Sequence, residues 1–320
     1  MNPAYISGWR LRAAVASVVV AACGYLLVSL LTGWHAVLRG LAAAGWAGIF
    51  MALSLSSLNY LLRFARWHIY MRSMGHRVPA LEHARIYLTG FALTTTPGKA
   101  GEAIRAVFLR RHGVDYASAL AAMFSERLSD LVGILVLCLP GLDLDPRLHV
   151  LLLISVAGVV FALALLAWPG WLGWLATWAE PMQGRLGHLL RHLVHMLRQA
   201  RRCHAPRLLP VSTLLSLCAW SAEALAFHGL CTRLGMPLSL GYAVFVYAAS
   251  MIAGSVSLLP GGLGGTEAAM VALLLLQGVA LPQAVAVTVL IRLTTLWYAV
   301  ALGLLALTAL RRRGGEEVVP

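Results

Sequence analysis

The chain has 320 residues, 60% of them apolar and only 12% charged, with a net charge of +13 and a mean hydropathy of +0.80. A soluble domain carries about a quarter charged residues, and one soluble core could not absorb this many apolar side chains and keep a wettable surface. Composition therefore excludes a soluble protein. The cations sit between apolar runs, where they report membrane orientation rather than nucleic-acid binding.

Arg10 and Arg12 open the chain ahead of an apolar run that continues past Val20-Ala21-Ala22-Cys23 to Leu31. A lipoprotein turns polar after its cysteine, so this run reads as a retained first span. The runs long enough to cross a hydrocarbon core of about 30 Å are Ala13–Leu31, Leu41–Leu62, Tyr116–Leu139, Val150–Trp168, Leu208–Cys231 and Pro282–Leu310. Two further apolar regions are broken, Leu81–Phe108 at Pro97-Gly98 and Leu240–Gly278 at Pro260–Gly265. Two stretches have the spacing of interfacial helices: Phe64, Trp67, Met71 and Met74, and Leu186, Leu189, Leu190, Leu193 and Leu197. Each could equally be an ordinary basic loop. The five cysteines have no ligand or disulfide spacing. His188, His192 and His195 lack a nearby carboxylate or cysteine, so no metal site is expected.

Nineteen cations fall on one side of this arrangement and only Arg39, Arg147 and Arg233 on the other. By the positive-inside rule both termini are cytoplasmic and the chain is a multi-pass protein of a cell inner membrane. The expected fold is an all-α polytopic helix bundle, a single domain over 1–320, with six full spans and two re-entrant hairpins.

A weak internal repeat relates those hairpins. Thr96-Pro97-Gly98-Lys99-Ala100-Gly101-Glu102 is followed, thirty residues after its proline, by Arg127-Leu128-Ser129. Leu259-Pro260-Gly261-Gly262-Leu263-Gly264-Gly265-Thr266-Glu267 is followed, thirty-two residues after its proline, by Arg292-Leu293-Thr294. Three spans lie between the copies, so the second is inverted, with halves at about 41–140 and 206–310. Secondary transporters use such inverted repeats, with broken helices near the midplane. The backbone at Pro97, Gly98, Gly101, Pro260, Gly261, Gly262 and Gly264 is then expected to line protein or a polar cavity.

Charges stand where lipid should be. Glu126, Arg127 and Asp130 lie mid-span, where one unpaired charge costs about 3 kcal/mol. Glu126 and Asp130 share a helix face. With Lys99, Glu102, Glu223, Glu267 and Arg292 the intramembrane set is three cations and five acids. It is either a structural ion-pair lattice or a substrate or proton path. The acid excess points to the path, with Glu223 or another acid as a proton site.

Pro97-Gly98-x-x-Gly101-Glu102-x-x-Arg105, Glu126-Arg127-x-x-Asp130, Pro260-Gly261-Gly262-Leu263-Gly264-x-x-Glu267 and Arg292 together resemble the flippase-like membrane family. That family includes the transmembrane region of lysylphosphatidylglycerol synthetase. Arg66-Trp67 also fits. The resemblance implies translocation of a lipid or lipid-linked molecule between leaflets, with membrane lipids as partners, some relatives standing beside hopanoid or glycolipid pathways. The chain ends at Pro320, and aminoacylating activity is not expected. The substrate-binding set is then Lys99, Glu102, Arg105, Glu126, Arg127, Asp130, Glu267 and Arg292, facing an anionic headgroup. The alternatives are an accessory subunit beside lipid-synthesis enzymes, or a membrane enzyme using Glu126 or Asp130 as general base. No nucleophile elbow, HExxH motif or phosphate loop is present, so no catalytic residue, cofactor or nucleic-acid partner is expected. The sequence does not fix an oligomeric state.

Overall fold

A backbone in lipid must satisfy its N–H and C=O groups internally, and every regular element among the described residues is a helix. The computed structural model describes residues 9–96, 102–141, 146–257 and 259–316, with side chains from residue 34 onward except at 146–152, 169, 260 and 311–316. In chain order the helices are α1 (Trp9–Ser73), α2 (Ala80–Thr89), α3 (Ile104–Leu109), α4 (Tyr116–Cys138), α5 (Pro146–Ala167) and α6 (Pro169–Ala179). They continue as α7 (Gly184–Cys203), α8 (Leu209–Arg233), α9 (Leu240–Val256), α10 (Gly265–Leu276), α11 (Leu281–Arg292) and α12 (Tyr298–Glu316). Three of these runs are long and apolar enough to cross a membrane, Trp34–Ser73, Leu209–Arg233 and Leu281–Leu310, or four if the bent pair α5–α6 is one span. Helix α4 is 23 residues long but carries Glu126, Arg127 and Asp130 in its middle.

The chain divides into two compact units. The first comprises Met1–Ser57, Arg85–Ile104 and Ala222–Pro320, the second Leu58–Ala84 and Arg105–Ser221. In the first unit α9 and α10 pack along each other as a helical hairpin. Small residues permit the approach: a Cβ at Gly254 would stand 1.9 Å from Thr266 Oγ1, and one at Gly265 2.8 Å from Ser257 Oγ. The tip contains Gly261, Gly262 and Gly264 at φ +64°, +68° and +84°, which only glycine adopts without strain. Helix α12 packs on the short 3-10 turn Gly90–Leu93 through Gly303, where a Cβ would lie 2.1 Å from Ala92 N. Between α11 and α12, Leu293–Trp297 forms a π-helical turn. Gly45 interrupts α1 at φ +61°, and Arg233 Nη1 donates to the neighbouring Ala44 carbonyl at 3.3 Å.

In the second unit α4 packs against α5 and α7, and α6 against α7. Asp115 caps α4 by accepting from Ser118 N–H at 3.1 Å. Where α4 meets α8, a Cβ at Gly133 would lie 3.2 Å from the Ser216 backbone.

Two sequence expectations change here. The second span was expected to end at Leu62, yet α1 continues past Leu62 to Ser73. The Phe64–Met74 stretch is not interfacial, because Trp67, Met71 and Met74 are buried. Its arginines do not end the helix because carboxylates of α4 receive them. The second stretch is helical, in α7, with Leu186, Leu189 and Leu193 exposed. Pro97, Gly98, Lys99 and Gly101 lie outside the described residues.

Candidate functional site

On α1 the residues Asn59, Arg63, Arg66 and Tyr70 recur at spacings of four, three and four, which puts them on one helix face. All four are buried. They meet the face of α4 that carries Glu126, Ser129 and Asp130, and the face of α8 that carries Ser216 and Trp220. Arg63 Nη2 lies 3.1 Å from Glu126 Oε1 and 3.4 Å from Asp130 Oδ2. Arg66 Nη2 donates to Asp130 Oδ1 at 2.7 Å and its Nη1 to Ser216 Oγ at 2.6 Å. Ser216 Oγ in turn donates to the Ser129 carbonyl at 2.7 Å. Trp220 Nε1 donates to Asp130 Oδ1 at 3.1 Å, and Tyr70 pairs with Ser129 at 2.6 Å. Asn59 Nδ2 donates to the Ala219 carbonyl at 2.8 Å.

Arg105, at the start of α3, closes the cluster. Its Nη1 donates to Glu126 Oε2 at 3.1 Å, and its guanidinium lies 5.3 Å from the centre of the Trp67 ring, a favourable cation–π placement. Trp67 Nε1 donates to His83 Nε2 at 2.7 Å, and His83 Nδ1 meets His68 Nδ1 at 2.8 Å. Because His83 Nε2 accepts, its proton sits on Nδ1 and points to His68.

Arg127 is not the cation that holds these carboxylates. It stands 3.9 Å from both Glu126 and Asp130 with its side chain a third exposed, whereas Arg63, Arg66 and Arg105 make the short contacts. Four guanidiniums thus approach two carboxylates, and these six side chains carry a formal +2. Within this cluster the acid excess expected from sequence is reversed, because Arg63, Arg66 and Arg105 counted there as cations between spans.

The first unit holds the other expected residues. Arg292 is buried; its Nε donates to Glu267 Oε1 at 2.7 Å and its Nη2 to the Gly261 carbonyl at 2.8 Å. Glu267 Oε2 accepts from Gly264 N–H at 2.7 Å. One ion pair therefore ties the glycine tip at both ends, while Pro260 occupies its short 3-10 turn. The tip touches the first motif as well: a Cβ at Gly261 would lie 3.3 Å from Thr95 Cγ2. Glu102 is buried in the turn before α3. Glu223 is buried on α8 and accepts a hydrogen bond from Tyr247.

Among the described residues no group of three or more His, Cys, Asp or Glu could hold a metal ion. Sequence reasoning missed Arg63, Arg66, Ser216, Trp220 and Tyr247. The recoverable signal was the polar stripe Asn59–Tyr70, whose period continues that of the preceding span.

An arginine-lined carboxylate pair on α4 and a glycine tip held by an arginine are the features that carried the family resemblance. The chain matches the family described as the lysylphosphatidylglycerol synthase TM region over residues 14–303. It belongs to that family. It is also similar to UPF0104 membrane protein PH1989 of Pyrococcus horikoshii, with 23% identity over 314 residues, covering 88% of this chain and 93% of the relative. A lysylphosphatidylglycerol synthase TM region is a membrane protein of lipid handling, in agreement with the long apolar helices.

Proposed function

We propose that this lysylphosphatidylglycerol synthase TM-region protein translocates an anionic lipid or lipid-linked headgroup across the cell inner membrane, by transport and not by catalysis. The supporting observation is the buried cluster on α1, α3, α4 and α8, where Arg63, Arg66, Arg105 and Arg127 surround Glu126 and Asp130. Four guanidiniums gathered at one site present the forked donors that recognise phosphate, which favours a phosphate-bearing headgroup at membrane depth. Arg127, the most exposed of the four, is the side chain best placed to meet it. In this reading the chain has six spans, both termini cytoplasmic, and α9–α10 as one of two re-entrant hairpins in an inverted repeat. Membrane lipids are the partners, and lipid-synthesis enzymes supply them.

Leaflet-resolved lipid exchange in proteoliposomes tests the proposal. Arg127→Gln is expected to insert and fold as wild type and to lose most of the exchange of an anionic lipid. Wild-type exchange in Arg127→Gln, or none in wild type with any lipid extracted from the host membrane, overturns it.

A second reading, an accessory subunit, draws on the pairing of Glu267 with Arg292 and of Asp130 with Arg66. Such pairs hold helices together whether or not anything is transported. That reading expects Arg127→Gln to be silent in exchange and in the output of the lipid pathway.

A further inference from the structure

The sequence offers Leu186–Leu197 as either an interfacial helix or a basic loop, and the structure makes residues 169–203 a pair of helices, α6 and α7. Helix α5 is apolar, and α6 leaves it at a bend of 71°. On α6, Trp174 and Trp178 stand one turn apart with ring centres at 5.6 Å. Both are about 60% exposed, as is Trp168 at the bend. Leu172 and Ala179 of α6 are buried, and α6 packs on α7. Arg191 of α7 fastens the two, donating to the carbonyls of Ala179 at 3.0 Å and Met182 at 2.9 Å. The turn between them depends on Gly187, where a Cβ would collide with the Met182 carbonyl at 1.9 Å.

Helix α7 itself has three faces. Gly187 and Val194 are buried on one face, and α7 packs against α4. Leu186, Leu189 and Leu193 form an exposed apolar stripe. Arg185, His188, His192, Arg198 and Arg202 are exposed; His188, Arg198 and Arg202 lie on the side away from that stripe, His188 about 160° from Leu186, while Arg185 and His192 border it. Between residues 169 and 203 five arginines face a single acid, Glu180. An exposed leucine stripe beside α4 is unstable in water, and a tryptophan-bearing helix bent away from a span matches the aromatic belt of a bilayer surface.

We infer that α6 and α7 lie in the headgroup layer of the leaflet on the arginine-rich side, and that this pair retains anionic phospholipid there, next to α4. The tryptophans and leucines enter the acyl boundary, while the arginines remain at phosphate level. The inference rests on the membrane reading alone and stands whether or not the chain translocates lipid.

Two measurements on the full chain, reconstituted in vesicles of equal phosphatidylglycerol and phosphatidylcholine, test it. With native cysteines replaced, a nitroxide at Leu186→Cys is expected to be accessible to oxygen and shielded from a water-soluble nickel chelate. A nitroxide at His188→Cys is expected to show the reverse. Lipid co-purified with wild type is expected to be enriched in phosphatidylglycerol about threefold. The triple variant Arg185→Gln, Arg198→Gln, Arg202→Gln is expected to lose at least half of that enrichment. If both nitroxides report water, the surface faces the aqueous phase as a docking face for an acidic protein, and the inference fails. Undiminished enrichment in the triple variant overturns the lipid assignment equally.

Discussion

A guanidinium taken out of water keeps its proton at every accessible pH, so the fully buried Arg66 must be solvated by protein groups. Asp130 and Ser216 do this at 2.7 and 2.6 Å. Removing one member of such a pair leaves an uncompensated buried charge, at a cost of roughly 3–5 kcal/mol. Arg66→Gln is therefore expected to lower stability by about that amount in denaturant-monitored unfolding in detergent. The double change Arg66→Gln with Asp130→Asn should cost clearly less than the sum of the single changes, since the pair leaves together. Arg127→Gln, at 3.9 Å and partly exposed, should stay within about 1 kcal/mol of wild type. Strict additivity of the Arg66 and Asp130 changes would show that the contact is not an energetic pair. His83 gives a second prediction. Burial pushes its pKa down to about 3, with the charges of His68, His112 and Arg105 adding to the effect. The unfolded chain, with an ordinary value of about 6.5, then binds the extra proton. The contribution of His83 is complete above about pH 6.5 and falls by about 1.4 kcal/mol for each unit as the pH drops toward 3. His204, also held low by burial, acts in the same direction. His83→Gln can accept from Trp67 and donate to His68 without titrating. Its thermal midpoint should therefore fall less than that of wild type between pH 7 and pH 4.5, and parallel profiles would remove His83 from the acid limb.

Helices stay helical across breaks only where something receives the freed backbone groups or the inserted charge. In α1 the charge at Arg63 and Arg66 looked like the end of a span, because sequence shows the cations but not the carboxylates of α4 some sixty residues away. The extension to Ser73 was legible only as a polar stripe in phase with the preceding turns. The α9–α10 hairpin was readable from Pro260 to Gly265, since glycine at positive φ and proline at a turn announce a reversal locally. What sequence did not show is that Arg292 and Glu267 serve that hairpin first, as its fastener, and that Gly254 sets the separation of its arms. A methyl group at Gly254 would fall 1.9 Å from Thr266 Oγ1, and Thr266 is itself buried against α9. Gly254→Ala is accordingly expected to spread the arms and cost about 1–3 kcal/mol by overpacking. Gly158→Ala, with open space at its Cβ, should be neutral and serves as the control. Equal thermal midpoints for the two variants would show that the hairpin is not packed through Gly254.

At the scale of the molecule, composition carried the class, and the family match over residues 14–303 carries lipid handling. Neither reports which way the chain is threaded. Threading is an electrostatic decision made by loops: outside the buried cluster sixteen cations stand on one side of the proposed arrangement against three on the other, and the proposal puts the arginine-rich side at the cytoplasm because cations are retained against the membrane potential and by anionic lipid. In the proposed arrangement three spans separate the two broken segments, which puts the opening of Leu240–Val256 and Gly265–Leu276 on the opposite side from α2 and α3. Exposed sites that separate the two outcomes are Arg77 after α1, Arg198 on α7 and Gln277 after α10. In a chain freed of its native cysteines, Arg77→Cys and Arg198→Cys are expected to react with a membrane-impermeant thiol reagent only in inverted vesicles. Gln277→Cys should react only in intact cells. Were α9–α10 instead a pair of full crossings, each arm would have to span the hydrocarbon with 17 and 12 residues. At 1.5 Å per residue the shorter arm reaches about 18 Å, well below the thickness of about 30 Å it would need. A re-entrant hairpin leaves Gln277 on the side from which α9 entered, and labelling of Gln277→Cys from the cytoplasmic side would refute the inverted repeat.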